Sequence, residues 1–268
     1  MKSSKKIDMT QGSIMRQVLI FALPICAGNV LQQLYGTVDT LVIGNFCGSV
    51  SLAAVGTSSQ PVEMLLCIFL GLGTGVSILV SQFSGSGDGK SQREIVATAI
   101  SFLYICAIPL AVIGQFAGPL VLKIMQVPPD TWDLANSYIR IIFIGTLGNM
   151  GYNMNAGILR GVGDSRASLL FLLVSCVVNI ALDLLFVAGL GMDVAGAALA
   201  TMLAMYCSWL FSVAYIRRQY PELGFTLLPK RLNKAMLAAI VKIGLPLGLN
   251  GSIYSCLLYT SPSTRDRG

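Results

Sequence analysis

Long stretches of apolar residues alternate with short polar and basic clusters along the whole chain. The apolar runs cover residues 14–43, 51–82, 94–118, 134–160, 167–189, 194–216 and 236–258. Each is long enough for a helix to cross a hydrocarbon core about 30 Å thick. In lipid the backbone must satisfy its own hydrogen bonds, so runs of this length predict helices. The pattern predicts an all-α membrane protein, a bundle of six transmembrane helices followed by the start of a seventh. The first two runs are long enough to tilt or bend. Pro24, in FALPICAG, removes one backbone hydrogen bond and predicts a kink in the first helix.

Composition agrees with this pattern. Of 268 residues, 54% are hydrophobic and only 11% are charged, and the mean hydropathy is +0.74. About a quarter of the residues of a soluble domain carry charge. The net charge of +6 comes from basic residues scattered through short loops, with no aromatic-interleaved stripe that would meet nucleic acid. Lys2, Lys5, Lys6 and Arg16 precede or open the first run, Lys90 and Arg93 follow the second, and Arg160 and Arg166 follow the fourth. Arg217, Arg218, Lys230, Arg231 and Lys234 follow the sixth, and the opposite loops hold only Lys123. This asymmetry predicts a cytoplasmic N-terminus. The first apolar run is too long for a cleaved signal peptide. The chain has no histidine, which excludes histidine-based triads and histidine-ligated zinc. Cys26, Cys47, Cys67, Cys106, Cys176, Cys207 and Cys256 are isolated, with no CxxC, and read as small apolar filler. No enzyme and no cofactor is expected.

An internal repeat is visible. FALPICAGN at 21–29 resembles IGLPLGLNG at 243–251, with Leu23-Pro24 and Leu245-Pro246 each preceded by a polar, basic segment. Transporters are commonly built from such repeats. The expected organisation is a six-helix lobe over 1–216, a cytoplasmic linker over 217–235, and the first helix of a second lobe over 236–258. Residues 257–268 read as a tail that breaks the pattern and is a candidate non-native end. The second lobe is therefore expected to be missing.

Asp39, Glu63 and Asp183 lie well inside apolar runs. A charged acid at the bilayer centre costs at least about 2.5 kcal/mol, so such residues usually face a cavity and mark an ion or proton path. The plainer alternative is a protonated carboxyl bonding between helices. Asn179 and Asp183 are four residues apart and project from one helical face. An amide oxygen and a carboxylate form half a shell suited to a hard cation such as Na⁺. Thr201 offers another oxygen, and Asp39 can close the site.

Several segments together resemble the multidrug and toxic compound extrusion (MATE) transporters of the bacterial type. They are LP at 23–24, VDTLVIG at 38–44, LRGVGDS at 159–165, VNIALDLLF at 178–186 and GAALAT at 196–201. The resemblance covers about residues 12–255. It implies one lobe of a twelve-helix antiporter that exports organic cations or drugs against Na⁺ or H⁺ across the bacterial inner membrane. It also implies that Asp39, Asn179, Asp183 and Thr201 form the cation site, and that Pro24 bends the first helix as that site changes protonation. Glu63 lies outside that pattern. Gln32, Tyr35, Glu63, Asn153, Asn155 and Met205 are candidates for a substrate cavity.

Other signals resolve to packing. GLGTG at 71–75 sits inside an apolar run with no strand before it, so Gly71 and Gly75 fit a small-xxx-small face better than a nucleotide loop. GVGD at 161–164 mimics a motif of intramembrane aspartyl proteases, but Asp164 falls in a tight loop between Arg160 and Arg166. SGSGDGKSQR at 84–93 reads as a flexible loop without chemistry. A lipid-linked oligosaccharide flippase of the same superfamily is the alternative transport reading. It would favour basic cavity residues, for which Arg140 and Lys242 are the candidates. A membrane fragment that does not transport is the alternative from another class.

Overall fold

A computed structural model describes residues 14–229 and 232–260. Among them every long element is a helix: α1 (Ile14–Phe46), α2 (Gly48–Gly85), α3 (Gly89–Ile124), α4 (Trp132–Gly161), α5 (Ser165–Asp183), α6 (Asp193–Gln219) and α7 (Lys234–Thr260). The N-terminal lysines, Lys230, Arg231 and the segment 261–268 lie outside the described residues. The seven helices fall where the apolar runs place them, but several extend beyond those runs. The span 84–93, expected as a loop, is mostly helical, and only residues 86–88 interrupt it. The reason is local: the Asp88 carboxylate accepts from the Ser91 backbone N–H at 3.0 Å and caps α3. The Ser91 hydroxyl, and then this backbone bond, hold the Asp88 carboxyl below the usual carboxylate range. Between α1 and α2 the chain turns within two residues, with Gly48 at φ +86°, a conformation glycine adopts without a Cβ clash.

Among the described residues six helices are long and apolar enough to cross a membrane: α1, α2, α3, α5 with its following turn, α6 and α7. The exception is α4, read from the sequence as a span like the others. It carries Asp133, Asn136, Arg140, Asn149, Asn153, Asn155 and Arg160, yet its second half, from Gly145 to Gly161, is almost entirely buried. α4 lies against α2, α3 and α6. A helix screened by protein need not be apolar, because lipid does not reach it.

Glycines permit this enclosure. A Cβ on Gly73 would stand 2.9 Å from the Asn153 carbonyl, and one on Gly157 would strike the Gly73 carbonyl, so α2 and α4 cross backbone to backbone. On the opposite flank Gly148 and Gly151 admit Tyr206 and Trp209 of α6. Asn155 donates to Ser212 Oγ at 2.8 Å within this seam. Without hydrophobic drive between helices in lipid, such close packing and interhelical hydrogen bonds supply the attraction.

α7 docks on α2 in the same way. A Cβ on Gly71 would collide with the Gly248 backbone, and one on Gly75 would stand 2.9 Å from Gly244 Cα. GLGTG is thus half of a glycine seam. The loop before α7 is also tied down. Asn233 donates its side-chain amide to Glu94 at 3.0 Å, and Arg93 Nε bonds the Glu222 carbonyl at 2.6 Å. By contrast α1 is exposed along most of its length.

Gly75→Leu is expected to separate α7 from α2 and destabilise the bundle by about 1–3 kcal/mol. Thermal unfolding in detergent, with proteolysis of the 224–234 segment, checks this. Gly56→Leu, where a Cβ meets nothing within 4 Å, is expected to leave both readouts unchanged.

Candidate ion site and adjoining cavity

Three helices converge on the predicted oxygen donors. α5 presents Asn179 and Asp183 one turn apart, both fully buried. Thr201 of α6 donates to Asp39 Oδ2 of α1 at 3.4 Å and accepts from Asn179 Nδ2 at 3.4 Å. The Asp183 carboxyl lies within interaction distance of Asp39. Asp39 Oδ1, Asn179 Oδ1 and both Asp183 oxygens are buried and complete no hydrogen bond among the described residues. Two carboxyl groups in contact cannot both stay charged in a dry site without a cation or a proton. The donor set, all hard oxygen, fits a proton or Na⁺.

The backbone beyond Asp183 is unusual. Residues Leu184–Gly189 form a wide π-type turn, with Leu190 N bonding Leu185 O at 2.9 Å. Such widened turns often accompany functional sites. The sequence LLFVAG gave no warning of it, having no proline and no polar interruption. One turn from the donors, Ile43, Val187 and Ala197 form a buried apolar cluster with Val42. They lie one turn beyond Asp39 and Asp183 and one turn before Thr201, so they seal one side of the site. Tyr35, one turn before Asp39, faces Thr201 but completes no hydrogen bond. Tyr138 of α4 lies near enough to Asp39, Asp183 and Glu63 to feel their charge. The sequence reading did not single it out.

On the other side of the site a cavity of about 50 Å³ opens between α1, α4 and α5. Gln32 and Leu172, each two turns from a site residue, line it with Pro24 and Asn153. Of the remaining cavity candidates, Asn155 is committed to Ser212, and buried Met205 accepts from the Ser175 hydroxyl at 3.8 Å. Neither lines this cavity. Glu63 is exposed on α2, apart from the cavity. Arg140 and Lys242 are also exposed, and the basic residue that reaches the cavity is Arg160. Its spacing was the available signal, since Asn153 and Arg160 are seven residues apart and share a face of α4.

Asp164 has a structural role. Its Oδ1 caps α5 through Ala167 N at 3.1 Å, and its Oδ2 accepts from Tyr215 and Tyr220 at 2.8 and 2.7 Å. These bonds fasten the LRGVGDS loop to the end of α6, an arrangement foreign to a protease dyad.

Residues 24–185 match the MatE family model. The chain belongs to the MatE family. It is 33% identical over 246 residues to the probable multidrug resistance protein YpnP of Bacillus subtilis, covering 91% of this chain and 55% of that protein. It superposes on an outward-facing multidrug resistance MATE transporter with a TM-score of 0.88 at 25% identity, covering 97% of this chain and 57% of the other. A MATE structure in the bent conformation gives 0.87 at 25% identity, with 96% and 58% covered. The chain spans about half the length of the relatives it matches. This MatE chain is a multi-pass membrane protein of a multidrug efflux transporter family.

Asp164→Ala is expected to destabilise this chain by about 2–4 kcal/mol, through loss of a helix cap and of the acceptor for two tyrosines. Asp164→Asn, which can still cap, is expected to lose less. Thermal unfolding of both variants in detergent measures the difference.

Proposed function

We propose that this chain is the ion-binding lobe of an antiporter that exports organic cations or drugs by alternating access, driven by Na⁺ or H⁺. The observation that carries this reading is the set of four acceptor oxygens, on Asp39, Asn179 and Asp183, buried without a donor where α1, α5 and α6 meet. Thr201 completes the set through its bond to Asp39.

A bound cation or proton offsets the repulsion between the two carboxylates, so α1 rests against α5 and α6. Loss of that charge favours an arrangement in which the carboxylates move apart. α1 carries Asp39 and contains Pro24, which has no N–H to donate, so the helix can bend there without losing a backbone hydrogen bond at that residue. Its exposed length leaves it freer to move than α4. A cationic cargo then competes with the coupling ion, because each binds one conformation better. Tyr35 and Tyr138 are placed to sense the same event. In this reading the N-terminus is cytoplasmic, the membrane is the bacterial inner membrane, and export belongs to the whole two-lobed transporter.

The test uses the complete transporter in inverted membrane vesicles. Asp39→Asn and Asp183→Asn are each expected to cut gradient-driven dye transport at least about tenfold. Retention of transport by either variant refutes the assignment. Imposing a Na⁺ gradient or a pH gradient separately identifies the ion. If it is Na⁺, its affinity is expected to fall on acidification, since protons compete for the same carboxylates. Residues 1–268 alone are expected not to export dye.

A further inference from the structure

At the end of the cavity away from the ion site stands Arg160, the last basic residue of α4. Its guanidinium offers five N–H donors. Its hydrogen bond is a long one, Nη1 to Ser168 Oγ at 3.5 Å, and it forms no ion pair among the described residues. Asp164, four residues on, is occupied by Ala167 N, Tyr215 and Tyr220 and does not line the cavity. A second observation is independent of the arginine. Ser165, also lining the cavity, is 1% exposed, and its hydroxyl is buried with no partner. Both serines belong to the first turn of α5, the positive end of that helix.

An unpaired cation beside an orphaned hydroxyl is costly in a half-dry wall. We propose that this end of the cavity binds a phosphate-type anion, with Arg160 gripping its oxygens and the Ser165 and Ser168 hydroxyls donating to it. Arginine's planar fork suits such an oxyanion. The volume, about 50 Å³, suits a small anionic group and not a whole lipid. Two sources share this chemistry, free phosphate and a phospholipid headgroup whose tails lie outside along exposed α1. The inference does not depend on the ion site, and its test involves no transport.

The purified chain in neutral detergent is titrated with sodium phosphate against sodium chloride at equal ionic strength. It is titrated separately with short-chain phosphatidylglycerol against short-chain diacylglycerol. The rise in unfolding temperature is the readout. At least one phosphate source is expected to stabilise the wild type beyond its control. A response to free phosphate assigns an inorganic anion, and a response to phosphatidylglycerol alone assigns a headgroup. R160Q is expected to weaken the response roughly tenfold or more, with R160K intermediate. If R160Q does not fold, the double variant S165A/S168A carries the test, with a loss of several-fold expected. No stabilisation by either source, or a variant response equal to wild type, overturns the proposal.

Discussion

Asp39 and Asp183 lie against each other inside an apolar helix bundle, and four oxygens around them complete no hydrogen bond among the described residues. That constraint organises the side of the bundle where α1, α5 and α6 meet. Like charges cannot be held together at low dielectric unless something positive joins them or one of them is neutral. Thr201 and Asn179 extend the pair into a relay across α1, α6 and α5. The apolar cluster of Ile43, Val187 and Ala197 closes it on one side, and the polar cavity adjoins it on the other.

Such a site needs a rigid frame, and glycine supplies it. α4 is gripped by α2 through Gly73 and Gly157 and by α6 through Gly148 and Gly151, while the Asn155–Ser212 bond locks the α6 seam. The same close approach brings α7 onto α2 at Gly71 and Gly75. In lipid, where apolar helices gain nothing by leaving their solvent, small residues that let backbones meet are the available adhesive. The result is unequal. α4 is enclosed and polar, whereas α1 is exposed and contains a proline. An enclosed α4 and a lightly held α1 thus stand in the same bundle.

The basic end of the cavity adds a second electrostatic feature. Asp164 spends its charge on capping α5 and binding two tyrosines, and Arg160 has no carboxylate partner among the described residues. One polar cavity thus adjoins a carboxyl pair at one end and contains a guanidinium without an ion pair among the described residues at the other.

Much of this was legible in the residues themselves. Apolar runs set the number and order of the helices, because a hydrocarbon solvent leaves the backbone no other way to satisfy its bonds. The four-residue spacing of Asn179 and Asp183 put them on one face before any coordinates, and Gly71 and Gly75 read as a packing surface. Other features depended on how the helices assemble. α4 looked like an ordinary span, and its enclosure depends on which neighbours surround it. The wide turn after Asp183 left no mark in LLFVAG, since helix and π-turn share the same apolar composition. Asn155 and Met205 were cavity candidates by position, but the rotation of α4 and α6 turned them into the packing. Arg160 looked like a loop charge until α1 and α5 closed around it. Local pattern determines which residues are helical and which face each shares; only the packing of helix against helix decides which face meets lipid, protein or water.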